Sequence, residues 1–209
     1  WRTVCHSAGS SWDGREAHRR ATRGLHRGLG TDWFGTALIG EVLSAKNQTV
    51  ATYKLVLAYD GTRYAGWQRQ PEAVAVQNVL DDALARVTGE QVRTTGSSRT
   101  DAGVHAFGQV VSLSFTREMT GDTLRRALNA VLPDEVLVRS AEVVADDFDA
   151  IRATIRKRYR YLIRDGRQRG IFDRPYVWHV RHPLDAAAMH AAAQTLVGEH
   201  DFASFQSVG

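Results

Sequence analysis

The chain has 209 residues, of which 43% are hydrophobic and 24% are charged, and its formal net charge is +4. This composition is typical of a globular chain that can bury a core, and it excludes an intrinsically disordered one. No apolar run reaches the roughly 18 residues that a membrane-spanning helix needs, so we expect no membrane association. The single cysteine, Cys5, excludes an internal disulfide framework and a multi-cysteine metal site, and it favours a cytoplasmic location.

The positive charge is concentrated in one segment. Residues 152–181 contain ten Lys or Arg residues against two Asp or Glu residues, and nine of the ten are arginines. Arginine binds phosphate through a planar fork of donors, and it stacks on nucleobases. The segment therefore indicates a surface that binds RNA or DNA. On charge alone, a solvated basic face explains it equally well.

Periodicity begins only after residue 52. Residues 1–52 are predicted to be a poorly ordered N-terminal extension, because they show no sustained pattern. Alternating apolar residues then predict a strand over residues 53–59. Apolar residues at helical spacing over residues 76–87 predict an amphipathic helix that Gly89 ends.

The middle of the chain continues with mixed elements. A strand is predicted over residues 109–115, a second helix over residues 124–132 that Pro133 stops, and a further strand over residues 136–144. This order predicts an α+β domain over residues 53–147 and does not fit a doubly wound parallel sheet.

Residues 148–209 are predicted to form part of a second α+β domain that contains the basic strand. Over residues 158–163, tyrosines alternate with arginines, which places the two types on opposite faces of one strand. Asp185 is predicted to cap a third helix that Gly198 ends.

One loop carries groups suited to catalysis. It follows the first predicted helix and reads Arg99-Thr100-Asp101-Ala102-Gly103-Val104-His105. The Asp101 carboxylate is a possible nucleophile or base, and Arg99 is close enough in sequence to pair with it and keep it ionised. On spacing alone, a structural Asx-turn at Asp101, with Gly103 relieving a tight turn, explains the same residues.

This loop resembles the signature segment of the TruA family of tRNA pseudouridine synthases. Further blocks resemble the same family in the same order along residues 53–205. They are residues 64–70 (YAGWQRQ), 108–111 (GQVV), 129–133 (NAVLP), 147–150 (DFDA), 159–161 (YRY) and 198–202 (GEHDF).

The resemblance implies isomerisation of uridine to pseudouridine at positions 38, 39 and 40 of the tRNA anticodon stem-loop. It implies tRNA as partner, a homodimer, and no metal, nucleotide or other organic cofactor. It also implies two RNA-recognition-like domains, each an antiparallel sheet with helices, flanking a basic cleft. The second domain is incomplete here, so we expect the chain to be part of a longer enzyme.

By the same resemblance, Asp101 is the catalytic aspartate, with Arg99 beside it, and it acts either at C6 of the base or at the sugar. Tyr159 is the active-site aromatic that stacks on the flipped uracil, although a strand-face packing role explains it too. Ile151 stands where the family usually has arginine. The expected RNA-binding residues are Phe148, Asp149, Ala150, Ile151, Arg152, Arg156, Arg158, Arg160 and Arg167.

The residues by themselves are compatible with two other functions. A catalytically inactive RNA-binding fragment of such an enzyme would keep the arginines and lack turnover. An unrelated α+β domain, in which the Asp101 loop is purely structural, would show only weak attraction to tRNA, independent of its sequence.

Overall fold

The computed structural model of the protein describes Thr3–Ser7 and residues 50–206. The rest of the predicted N-terminal extension lies outside the described residues. The chain divides into two compact units between Arg158 and Tyr159. We call Val4–Arg158 the first unit, and Tyr159–Gly209 together with Trp1–Thr3 the second unit.

A six-stranded sheet forms the frame of the first unit. Its strands are β1 (Thr3–Ser7), β2 (Ala51–Tyr59), β3 (Thr95–Gly96), β4 (His105–Phe115), β5 (Val136–Val144) and β6 (Arg156–Arg160). The order across the sheet is β5-β2-β4-β1-β6, in which β2 pairs antiparallel with β4 and β5, and the short β3 pairs antiparallel with β4. The three strands predicted between residues 53 and 144 are thereby confirmed.

Two helices, α1 (Val76–Thr88) and α2 (Gly121–Asn129), pack on one face of this sheet. Alternate β2 residues, among them Leu55 and Leu57, are fully buried in the same cluster as Leu84 of α1. The predicted end of α1 at Gly89 is confirmed, since Gly89 has a φ of 80° and its N–H donates to a carbonyl of the last turn. The second predicted helix ends before Pro133, at Asn129.

The second unit contains short elements. They are β7 (Ile163–Asp165), β8 (Trp178–Val180) and α3 (Ala186–Ala193), followed by two single-turn 3₁₀ helices. Asp185 caps α3 as predicted, because its Oδ1 accepts a 2.9 Å hydrogen bond from the Ala188 N–H. With three helices and an antiparallel sheet, the α+β class is confirmed. None of the described helices is long and apolar enough to cross a membrane.

Two expectations for the basic segment were wrong. The predicted strand over residues 158–163 breaks after Arg160, because β6 pairs in the large sheet whereas β7 pairs with β8. That second pairing is parallel and not antiparallel. The connection over residues 166–177 has the dozen or so residues that a crossover between parallel strands needs. Within β6, Tyr159 still alternates with Arg158 and Arg160.

Candidate active site

The loop between β3 and β4 carries Asp101, and its base is attached to the sheet. The Ser97 N–H donates to the Val110 carbonyl over 2.8 Å. The side-chain amide of Gln109, which is fully buried on β4, donates to the Ser98 carbonyl. Buried amide hydrogen bonds of this kind are costly to break, so the loop leaves the sheet at a fixed point.

Thr100 anchors the centre of the loop. Its carbonyl accepts a 2.9 Å hydrogen bond from the Trp67 N–H, and its hydroxyl lies 2.8 Å from the hydroxyl of Tyr59. Burial raises the pKa of the Tyr59 phenol well above its ordinary value, against the smaller opposing effect of the Thr100 hydrogen bond. The phenol therefore stays protonated and available as a donor. On either side of buried Thr100, Arg99 and Asp101 are exposed.

A tight turn follows directly. The Val104 N–H donates to the Asp101 carbonyl over 3.1 Å, and Gly103 has a φ of 75°. The predicted turn with its glycine is therefore present, and this hydrogen bond is made by the Asp101 main chain. A main-chain turn leaves the carboxylate on the exposed side of the loop, so the structural and catalytic interpretations are compatible.

Two glycines let the neighbouring segments support the loop. A side chain on Gly66 would overlap the Thr100 carbonyl oxygen, and one on Gly61 would overlap the Val104 carbonyl oxygen. Gly66 also has a φ of 97°, which L-residues rarely adopt. The sequence analysis did not predict this supporting role. The signal for it was a glycine between two aromatic residues, in Tyr64-Ala65-Gly66-Trp67, which is a common mark of a close backbone approach.

The far end of the loop is held by a buried histidine. His105 Nδ1 lies 3.2 Å from the Gly61 nitrogen and 3.0 Å from Asp60 Oδ1. Asp60 in turn accepts a 2.9 Å hydrogen bond from the Thr62 N–H. Both ends of the Asp101 loop are therefore tied to the sheet and to the turn after β2.

Two predictions about the exposed side chains can be compared with their positions. The pairing expected between Arg99 and Asp101 stays a prediction. Both side chains are exposed, and an exposed pair gains little in water. Tyr159, on β6 at the start of the second unit, is 50% exposed, so it is not a core aromatic, and Tyr161 is similarly exposed at 48%.

The segment expected to contact RNA after β5 is partly structural. Asp149 Oδ1 accepts 2.9 Å hydrogen bonds from the N–H groups of both Ile151 and Arg152. Ala150 is only 1% exposed, and its N–H donates to the Ser112 hydroxyl. Burial leaves the Ala150 side chain no surface for RNA, which corrects that expectation, whereas Ile151 is 59% exposed.

The remaining expected RNA-binding side chains present positive charge or apolar surface to solvent. Phe148 is partly exposed, and the arginines are exposed; they are Arg152, Arg156, Arg158, Arg160 and Arg167. Within residues 50–206, no group of three or more His, Cys, Asp or Glu side chains is placed to hold a metal ion.

Comparison with known proteins bears on this loop. A family model described as tRNA pseudouridine synthase matches residues 55–151, which contain Asp101 and the segments that support it. The protein named tRNA pseudouridine synthase A from Methylorubrum populi is 50% identical over 156 residues, and the one from Methylobacterium sp. (strain 4-46) is 52% identical over the same length. The chain belongs to the TruA family of tRNA pseudouridine synthases.

These matches cover 74% of this chain and 62% of each of those two relatives. The protein of the same name from Geobacter sulfurreducens is 47% identical over 158 residues, which are 76% of this chain and 65% of the relative. The chain thus spans somewhat less than two thirds of the length of the TruA proteins that it matches.

Proposed function

We propose that the protein is a tRNA pseudouridine synthase, an isomerase that converts uridine to pseudouridine in tRNA. Its targets are uridines 38, 39 and 40 of the anticodon stem-loop, and it acts as a cytoplasmic homodimer. The observation that carries the proposal is the anchored loop: Asp101 sits exposed on a loop whose buried neighbour Thr100 is held by Trp67 and Tyr59.

The reaction is balanced without any co-reactant. The C1′–N1 bond of uridine breaks, the base turns, and a C1′–C5 bond forms. The C5 proton leaves to solvent, and N1 gains a proton. An aspartate suits this chemistry as the nucleophile, adding at C6 or at C1′ and leaving again when the new bond has formed.

The position of Asp101 fits a target that enters from solvent. A uridine in a stem-loop has to be flipped out of its stack, at a cost of a few kcal/mol, before a protein group can reach it. An exposed carboxylate on a rigid loop can meet such a nucleotide without moving, which lowers the entropic part of the barrier. Arg99 is also exposed, and we assign it as the cation that offsets the cost of flipping.

Tyr159 and the arginines supply the remaining roles. A half-exposed tyrosine ring can stack on the flipped uracil, and its hydroxyl can assist the removal of the C5 proton. The exposed side chains of Phe148, Ile151 and Arg152 and the arginines of β6 bind the RNA around the target, through apolar contact and phosphate pairing.

The test is the release of tritium from tRNA that contains 5-tritiated uridine. We expect release by the full chain, and loss of release by a factor on the order of 10³ or more in Asp101→Asn, because the amide keeps the shape and removes the nucleophile. Binding of tRNA by this variant stays close to that of the wild type. Replacing nucleotides 38, 39 and 40 by cytidine, one at a time, identifies the targets.

Two results contradict the proposal in different ways. Binding of tRNA by the wild-type chain without any tritium release makes it a catalytically inactive RNA-binding protein. Substantial release by Asp101→Asn leaves the activity in place and removes Asp101 from its assigned role.

A further inference from the structure

The second unit contains a cavity of about 640 Å³ with an unusual lining. Five arginines line it, together with His179 and Asp173. We call this set the arginine pocket; its arginines are Arg164, Arg167, Arg169, Arg174 and Arg181. Of these, Arg167 is among the RNA-binding residues that the resemblance implies, whereas Arg174 and Arg181 are not.

The parallel pairing of β7 with β8 builds one wall of the arginine pocket. Arg164 stands directly opposite His179 in the register, so both side chains lie on the same face. His179 Nε2 lies 2.8 Å from the Gly166 carbonyl oxygen. A carbonyl can only accept, so this nitrogen carries a proton and donates it, which ties the start of the 166–177 connection to β8.

An ion pair links two residues that line the arginine pocket. Arg164 pairs with Asp173, and a side chain on Gly170 would overlap the carboxylate of Asp173 and crowd the guanidinium of Arg164. Glycine at 170 therefore lets the connection fold closely over this pair. The arrangement orients Arg164 before any ligand binds.

The arginine pocket has an excess of positive charge, which favours the binding of an anion. Asp173 neutralises one of the five guanidinium groups, and within the described residues no other carboxylate forms an ion pair with any of them. Several like charges around one cavity repel each other, and a bound anion removes that repulsion. Phosphate oxygens match the forked donors of arginine, which can bind them through two parallel hydrogen bonds.

We propose that the arginine pocket binds phosphates of the RNA backbone, with Arg174 and Arg181 as binding residues. The inference rests on the proposed function and deepens it, because it names a place in the second unit where the substrate backbone is held. The lining favours RNA backbone over a free nucleotide. Val177 is its one apolar side chain, and no Phe, Tyr or Trp ring is present on which a base could stack.

The experiment compares the full-length wild type with Arg174→Ala/Arg181→Ala. We expect tRNA binding at fixed salt to weaken about tenfold, which corresponds to losing roughly one charge-assisted hydrogen bond. The slope of log Kd against log salt should fall by about one or more, because fewer counterions are released. The kcat of tritium release should change little, since neither side chain is assigned to the reacting atoms, whereas KM should rise.

A matched control removes the same charge from the first unit. Arg86→Ala/Arg93→Ala changes two exposed arginines outside the pocket, so general attraction falls equally while the pocket stays intact. Arg174→Lys/Arg181→Lys retains the charge and loses the fork, and it should recover part of the salt slope. Far-ultraviolet circular dichroism checks that all variants fold.

The outcomes separate this inference from the proposed function. Normal tritium release with equal tRNA affinity in the pocket variant and the control variant overturns the pocket and keeps the enzyme. Weakened tRNA binding in the pocket variant, with no release even by the wild type, keeps the pocket and overturns the enzyme. Weakened binding of inorganic phosphate with unchanged tRNA binding assigns the pocket to a small free anion, which also overturns the inference.

Discussion

The two units differ in how much of each is buried in its own interior. In the first unit, five residues of α1 are buried, whereas α3 of the second unit has no buried residue. Phe172 in the second unit is 96% exposed, and no described residue from Tyr159 onward is buried. The interactions described within the second unit include the Asp185 cap of α3, the Arg164–Asp173 ion pair and several hydrogen-bonded turns. The comparison indicates a division of labour: a packed frame positions one aspartate, and a polar surface presents arginines.

The largest expected effect is a difference in stability between equivalent truncations in the two units. Leu84→Ala removes a fully buried side chain from α1 and should lower the free energy of unfolding by about 2–5 kcal/mol. Met189→Ala, in α3, truncates a side chain that is 47% exposed and should cost much less. Urea denaturation followed by circular dichroism measures both. Similar losses in the two variants would show that α3 is packed as tightly as α1.

The next prediction concerns Gly66, which lies against the Asp101 loop in the first unit. Gly66→Ala forces a side chain into the Thr100 carbonyl at a φ of 97°, so we expect a loss of about 1–3 kcal/mol of stability and a lower kcat. Gly89→Ala is the matched control, because Gly89 also has a positive φ but nothing lies within 4 Å of the added Cβ. Thermal unfolding and tritium release are measured on both. An unchanged kcat in Gly66→Ala contradicts the supporting role.

Removing the charge of the β6 arginines tests whether exposed arginines bind tRNA. Arg158→Ala/Arg160→Ala should weaken tRNA binding several-fold and flatten its dependence on salt, because both side chains are exposed on one face of the strand. Stability should change little, since exposed substitutions usually cost less than about 0.5 kcal/mol. Filter binding at four salt concentrations gives the slope. A slope equal to that of the wild type places the RNA elsewhere.

The smallest expected effect concerns acid sensitivity in the first unit. Glu90 accepts hydrogen bonds from the Thr116 hydroxyl and from the N–H groups of Thr116 and Arg117, and these bonds lower the pKa of its carboxyl below its ordinary value. The folded state thus binds this proton more weakly than the unfolded chain does. The resulting stability is fully present above the ordinary pKa of a glutamate carboxyl and is lost as the pH falls through the lower, folded-state pKa.

Glu90→Gln should therefore be less stable than the wild type at pH 7, with a difference that shrinks on acidification. Glu72→Gln changes an exposed carboxylate and serves as the control. Urea denaturation at pH 7 and pH 3.5 measures the effect. A difference that is constant with pH would mean that the hydrogen bonds to Glu90 do not depend on its charge.

Local patterns predicted much of the first unit. The apolar spacing and the following glycine located α1 and its end, and alternation located β2, because these elements each bury one face. In the second unit, Asp185 predicted the start of α3, since an N-cap acts within a single turn. The break between β6 and β7 was not predictable, because it depends on which distant strand each one pairs with.

The same distinction holds for the candidate site. The identity of the loop around Asp101, its Gly103 turn and the arginine-rich composition of residues 152–181 are properties of consecutive residues, and the sequence alone determined them. Only the tertiary structure decided that Gly61 and Gly66 support the loop, that Ala150 is buried, and that five arginines meet around one cavity. The reason is that contacts between residues far apart in the chain follow from strand register and chain crossings, which no local pattern encodes.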